Sequence, residues 1–229
     1  MSSELFRSEA DLQQGSDAWH QARLGKCTGS KFGSVMTKGR RKGEFSNQAM
    51  TYMLAVISER VGNCPTEEVK SKYVEWGKTH EPTARQLYQF EHGGDLSPVG
   101  FVNHPTIPNV GASPDGLVGN DGVLEIKCPY TISKHIATIE ANAITDKNYQ
   151  WQVQGQMWVT ERQWCDFVSF HPYVPEKLQL HVVRVERDED MIEDLEAAVT
   201  RFMEQVEVRV SNIRAAKGIS DETGDEVDF

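Results

Sequence analysis

Apolar positions along the chain recur at two spacings, and each switch marks an element. Ala49, Met50, Met53, Leu54, Ile57 and Val61 recur at three-and-four spacing behind Ser46 and ahead of Gly62, which predicts a capped amphipathic helix. Lys72 to Glu91 predicts a second long helix, with Val74, Ala84, Leu87 and Tyr88 as candidate buried positions and Gly93-Gly94 at its end. Pro82 lacks the N–H that would bond back to Lys78, so a kink or loosened turn is expected beside Glu81. Short β-like runs, 98–104 and 109–112, lead into the apolar, β-prone run Gly122 to Cys128. Lys147 to Thr160 reads as a helix despite Gly155, with Tyr149, Gln152, Val153 and Gln156 on one face and Gln154 and Trp158 nearer the other. A stripe of amides beside an apolar contact is unusual for pure core. Strands at Trp164–Phe170 and Leu178–Glu186 precede a last long helix carrying Ile192, Leu195, Val199, Phe202, Val206 and Ile213. The order predicts an α/β fold, a central mixed β-sheet flanked by α-helices.

At 229 residues the chain is long enough for one domain with a core that needs no staples. We expect a single domain over residues 1–218 and an acidic tail without fixed structure over 219–229. Cys27, Cys64, Cys128 and Cys165 lie far apart, which indicates neither a zinc site nor a disulfide framework and fits a reducing cytoplasm. The N-terminal stretch has no apolar core of a signal peptide, and the apolar run Met53 to Ile57 is far too short to span a bilayer. A soluble, unexported protein is expected.

The net charge of −10 argues by itself against a nucleic-acid partner, but its distribution does not. Between Arg23 and Gly43 stand seven basic residues (Arg23, Lys26, Lys31, Lys38, Arg40, Arg41 and Lys42) and no acid. Carboxylates concentrate instead at Glu186–Glu196 and in the tail, as solvated faces turned from a polyanion. A mobile solvated loop is an equally good account of Lys38, Arg40, Arg41 and Lys42, and it is compatible with DNA contact.

Candidate chemistry gathers between Gly111 and Cys128. Strand alternation puts Glu125 and Lys127 on one face and Leu124 and Ile126 on the other. Gly119-Asn120-Asp121-Gly122 is a turn signal, so the chain doubles back and sets Asp115 near Glu125. Two carboxylates suit a hard cation such as Mg²⁺, and a neighbouring lysine can hold or deprotonate a water or stabilise charge on a reacting phosphate. This is the pattern of a metal-dependent nuclease centre, although alone it also fits an ordinary charged hairpin. Upstream, Arg23 and the hydroxylated turn Thr28-Gly29-Ser30-Lys31 could seat a phosphate, or Thr28 or Ser30 could simply cap a helix. His80 has no ligand-spaced partner and reads as a packing or surface histidine.

Five motifs in order then carry a resemblance that runs from Ala18 to about Arg187. They are Trp19-His20-x-x-Arg23-Leu24-Gly25, Trp76-Gly77-Lys78-x-x-Glu81, Ser113-Pro114-Asp115-Gly116-Leu117, Glu125-Ile126-Lys127-Cys128-Pro129, and Tyr149-x-x-Gln152-x-Gln154-x-x-Met157-Trp158-Val159-Thr160. Together they resemble the lambda-exonuclease-like viral recombinases of the PD-(D/E)xK nuclease superfamily, with its restriction-endonuclease-like core. The resemblance implies a Mg²⁺-dependent 5′-to-3′ exonuclease, with two ions and Mn²⁺ as a substitute, that degrades one strand of linear double-stranded DNA to leave 3′ overhangs for strand-annealing recombination. It further implies a homotrimeric ring, a single-strand annealing protein as partner, and action in the bacterial host cytoplasm. By position, Asp115, Glu125, the Ile126 carbonyl and Glu81 would hold metal, Lys127 would orient the water and Gln152 would support that lysine. Arg23, Ser30 and Ser113 match the family's 5′-phosphate pocket. Pro82 departs from the family pattern after Glu81, and the basic run 38–42 corresponds to a DNA-contacting loop without matching it residue by residue. The rival readings are a RecB-like nuclease module of a helicase assembly, a restriction-type or junction-cleaving endonuclease, and a non-catalytic DNA clamp.

Overall fold

The computed structural model of the protein describes residues 13–66, 71–93 and 95–219. The tail expected to lack order therefore falls almost wholly outside the described residues. Helix α1 (Asp17–Arg23), strand β1 (Cys27–Thr28), a 3₁₀ turn (Gly29–Lys31) and helix α2 (Phe32–Met36) come first, followed by helices α3 (Asn47–Gly62) and α4 (Lys72–His92). Five short strands follow: β2 (Leu96–Ser97), β3 (Val102–Asn103), β4 (Val110–Ala112), β5 (Gly116–Val118) and β6 (Gly122–Lys127). Helices α5 (Ile132–Ala141) and α6 (Lys147–Thr160), strand β7 (Trp164–Phe170), helix α7 (Glu176–Gln179), strand β8 (Leu180–Glu186) and helix α8 (Glu189–Ala215) complete the order.

The strands form two sheets, β2-β5-β6-β7-β8 and β1-β4-β3. In the larger one β6 and β7 run parallel and the other pairs antiparallel, so the sheet is mixed. Parallel neighbours need a crossover, and α5 and α6 supply it. Alternation along β6 sends Leu124 and Ile126 to one face, where Ala84 and Tyr88 of α4 join Val168 and Phe170. Val123 faces the other way, into a cluster with Val153 and Met157 of α6, Cys165 and Phe167. A third cluster joins α2, α3 and α8 to the small sheet through Phe32, Val56, Val110, Leu195 and Phe202. Among the described residues no helix is long and apolar enough to cross a membrane.

Several expected core positions are corrected. In α3 Met50, Leu54 and Val61 are exposed and Val56 is buried, because the helix meets α2 and α8 along a narrower stripe than the apolar spacing suggests. Val74 is exposed at the start of α4, and Ile213 near the end of α8 gives way to Val210 as the last buried position. Ser46 caps α3 by accepting from the Ala49 N–H, but the helix closes on Asn63 in the left-handed region. Helix α4 runs through Pro82 as one element, and the start of the expected strand at Leu178 is instead the short helix α7. The seven carboxylates of Glu186–Glu196 are exposed, and Asp188 among them caps α8.

Tyr88 ties α4 to the sheet, donating to Asp166 Oδ2 at 2.7 Å, while Arg184 of β8 grips the same carboxylate with two bonds of 2.8 Å. Gly155 has a different task. A Cβ there would overlap the Phe32 ring and come within 3.1 Å of Leu195, so the missing side chain is what lets α6 lie against α2 and α8. In an exposed helix Gly→Ala gains about 1 kcal/mol. Here the sign reverses: Gly155→Ala is expected to lose about 1–3 kcal/mol through overpacking, read as a lower urea midpoint with unchanged m.

Candidate active site

The β5–β6 hairpin turns at Gly119, whose φ of 53° lies in the left-handed region glycine adopts without strain. Immediately before β5, Asp115 is already in register. Its N–H donates to the Leu124 carbonyl at 2.9 Å, and its Oδ2 accepts from the Ile126 N–H at 2.6 Å. The expected approach of Asp115 to Glu125 is thereby built by backbone pairing.

Glu125 is only 2 % exposed. Its Oε1 accepts from Gln152 Nε2 at 2.6 Å and pairs with the Lys127 ammonium, and its Oε2 accepts from Gln156 Nε2 at 2.5 Å. Gln152 and Gln156 stand one turn apart on α6, so one helix face reads both oxygens of one carboxylate. Gln152 meets Lys127 through the oxygen they share. Lys127 also lies over the Tyr149 ring, 4.9 Å from its centroid. From α4, Glu81 pairs with Arg85 at 3.6 Å, and Arg85 Nη2 donates to the Asp115 carbonyl at 2.5 Å. The unbroken helix thus delivers Glu81 to the hairpin despite Pro82.

Charge is crowded here. Burial first, then Glu125 and Glu81, push the Asp115 carboxyl well above its ordinary range, against the pull of Lys127 and the Ile126 N–H. Burial works against the Lys127 ammonium, but Glu125 and Asp115 outweigh it and hold it above the usual lysine range. Among the described residues no three His, Cys, Asp or Glu side chains already form a metal cage. Mg²⁺ does not need one, since it is held by one or two carboxylates together with waters and substrate phosphates. Hard oxygen donors and the crowding of Asp115, Glu125 and Glu81 fit such a cation.

A second corner forms beside the hairpin. Ser113 Oγ accepts from Trp19 Nε1 at 2.9 Å and from Arg23 Nη1 at 3.3 Å, and the Arg23 guanidinium stacks 4.1 Å from the Trp19 ring centroid. Thr28 pairs in parallel with Gly111 and Gly29 lies against Ala112, and Ser30 follows as an exposed residue of the 3₁₀ turn. Neither Thr28 nor Lys31, the residues at the two helix starts here, makes a side-chain cap, so the capping account of this turn finds no support. Lys38, Arg40, Arg41 and Lys42 are exposed on a loop closed by a Lys38–Phe45 bridge, with Arg41 3.7 Å from Glu44. No described bond joins that loop to the carboxylates. His80 packs on Trp76, as expected of a packing histidine. Gln156 and Arg85 are the residues that sequence reading did not assign to the site. The signals were there, a second amide four residues after Gln152 and a guanidinium four after Glu81.

Residues 18–163 match the YqaJ-like viral recombinase domain, and the chain belongs to that family. It is similar to an alkaline exonuclease from Laribacter hongkongensis, solved also in complex with dAMP, at 38 % identity and a TM-score of 0.81 over 89 % of this chain and 98 % of that one. A phage-related exonuclease from Haemophilus somnus 129PT shares the fold at 19 % identity and a TM-score of 0.67, over 82 % of this chain and 96 % of that one. An uncharacterised protein of Acanthamoeba polyphaga mimivirus is 23 % identical over 72 % of this chain, which spans only 30 % of that relative's length.

Gln156 tests how much the site depends on its clamp. Gln156→Leu strands Glu125 Oε2 but also removes the unpartnered, buried Gln156 Oε1, so two effects oppose. The lost bond to a buried charge should win, lowering unfolding free energy by about 1–3 kcal/mol in urea titrations.

Proposed function

We propose that this protein is a Mg²⁺-dependent 5′-to-3′ exonuclease that degrades one strand of linear double-stranded DNA and leaves 3′ single-stranded overhangs for recombination by strand annealing. The observation that carries the reading is the meeting of Asp115, Glu125 and Lys127 at one end of the hairpin, with Arg23 donating to Ser113 two residues before Asp115. The similarity at 38 % identity to an alkaline exonuclease supports the exonuclease reading. The ring-shaped trimer, the annealing partner and the host cytoplasm belong to the same proposal.

Asp115 and Glu125, with the Ile126 carbonyl and Glu81, would hold the metal, and the chemistry it would supply there is polarisation of the scissile phosphate and a more acidic water. Gln152 and Gln156 fix the Glu125 carboxylate so that its lone pairs are presented in one orientation. Lys127 brings an ammonium to the reacting phosphate, where it orients the water and offsets the negative charge that builds in the transition state. Arg23 binds the terminal 5′-phosphate with its planar fork, flattened on Trp19, while Ser113 and Ser30 add hydroxyls. The exposed basic loop supplies sequence-independent attraction to the duplex.

Time courses on linear and circular duplexes, with Mg²⁺ or chelator, test the reading. Digestion of linear DNA alone, dependent on the cation, is expected; equal cleavage of circles would replace it with an endonuclease. Lys127→Ala should keep DNA binding while losing about 10²–10³ in rate; turnover near that of the parent protein would remove Lys127 from the chemistry.

Arg23→Ala should erase a preference for 5′-phosphorylated over 5′-hydroxyl ends, measured as the ratio of initial rates. If Arg23 were only part of a diffuse basic patch, the ratio would stay unchanged and the salt slope would fall by about one unit.

A further inference from the structure

Beside the carboxylates lies an aromatic group that the hydrolytic site does not use. The first turns of α4 contribute Lys72, Tyr73, Trp76 and His80, the loop after β6 contributes Tyr130, and the loop after β7 contributes His171 and Tyr173. Trp76 is the hub. Its ring centroid lies 5.4 Å from Tyr130, 5.6 Å from Tyr173 and 5.6 Å from His171. Tyr73 meets Tyr130 edge-on at 5.3 Å.

Fold stability does not account for the outer rings. Tyr73 is 58 % exposed, Tyr130 45 % and Tyr173 72 %, so three large rings crowd together at the surface instead of in the core. The Trp76 indole N–H is buried without a hydrogen-bond partner, although buried donors are nearly always satisfied. Beneath them His171 is buried, and that burial lowers its affinity for a proton.

Position and charge select the occupant. Tyr130 stands three residues beyond Lys127, and His80 immediately precedes Glu81, so the patch adjoins the carboxylates on two elements. Lys72 Nζ lies 5.0 Å from the Tyr130 ring centroid and 5.3 Å from that of Tyr73. Lys78 is also exposed on this helix, against the single exposed carboxylate Glu75 in the same turns. Rings interleaved with cations suit a single strand, whose bases have free π-faces and whose backbone is anionic. Bases in an intact duplex are already stacked on one another and gain nothing there.

We propose that Tyr73, Trp76, Tyr130 and Tyr173 form a stacking platform for unpaired bases of a DNA strand at the mouth of the active site. The proposal rests on the nuclease reading, because an enzyme that attacks one strand of a duplex must part it from the other. Bases that leave the helix lose their stacking neighbours, and the platform replaces them at the point of separation.

The test is equilibrium binding in chelator, where no turnover occurs. Fluorescence anisotropy compares an oligo-dT with an abasic oligonucleotide of equal length and charge, on the parent protein, the Tyr130→Ala/Tyr173→Ala pair and the Tyr130→Phe/Tyr173→Phe pair. The parent should prefer oligo-dT, the alanine pair should lose about tenfold in affinity per ring removed while leaving abasic binding unchanged, and the phenylalanine pair should keep the preference. Equal affinity of the parent for both oligonucleotides, or no binding of either, overturns the proposal. So does a preference that survives in the alanine pair or is lost in the phenylalanine pair. A patch that instead joins copies of the chain would show as sedimentation-detected self-association lost in the alanine pair with no base preference, which also overturns it. Failure of the nuclease reading registers separately, as absent hydrolysis of linear duplex in Mg²⁺ while these binding ratios are still measured.

Discussion

A carboxylate buried on the central strand is the constraint on which this structure turns. Glu125 has almost no access to water, and an unpaired charge in such a place would cost several kcal/mol. Its two oxygens are answered by Gln152, Gln156 and Lys127, which come from a facing helix and from the same strand. Satisfying it therefore fixes the rotation of α6, the depth at which that helix sits and the rotamer of the lysine. The geometry that buries this charge is also the one that the proposed chemistry requires.

That demand explains the character of α6. From Gln152 to Val159 every residue is buried, with Val153 and Met157 on the large sheet, Trp158 against Phe32, and Gln154 spanning the Glu186 carbonyl and the Asp188 N–H. A helix enclosed on all sides shows no polar face, and its close approach to α2 depends on Gly155.

Two acidic side chains in the sheet region illustrate how structure and function divide. Asp166 is matched by a bidentate Arg184 and a tyrosine hydroxyl, so its charge is fully answered and the contact serves to lock α4 and β8 together. Asp115 has a backbone N–H on one oxygen and two other carboxylates nearby, and its affinity for protons is raised accordingly. A neutralised buried acid is a fastener, whereas an under-neutralised one beside other acids is prepared to receive positive charge. The exposed rings around Trp76 extend the same logic to apolar groups.

What the sequence determined by itself was what depends on near neighbours. Strand alternation put Glu125 and Lys127 on one face, the glycine-rich turn folded Asp115 back toward them, and the bounds of α6 and β7 follow from their residues. Five ordered motifs supplied the family, because joint spacing is far more specific than any one of them. Only the tertiary structure decided where the amides point. Helical periodicity put Gln152 and Gln156 on a common face, but that both reach Glu125 depends on how far α6 descends toward the sheet. Arg85 joined the site, and Met50, Leu54, Val74 and Ile213 left the core, for the same reason. Periodicity specifies which face of a helix is apolar; the width of the stripe that is covered depends on partners distant in the chain.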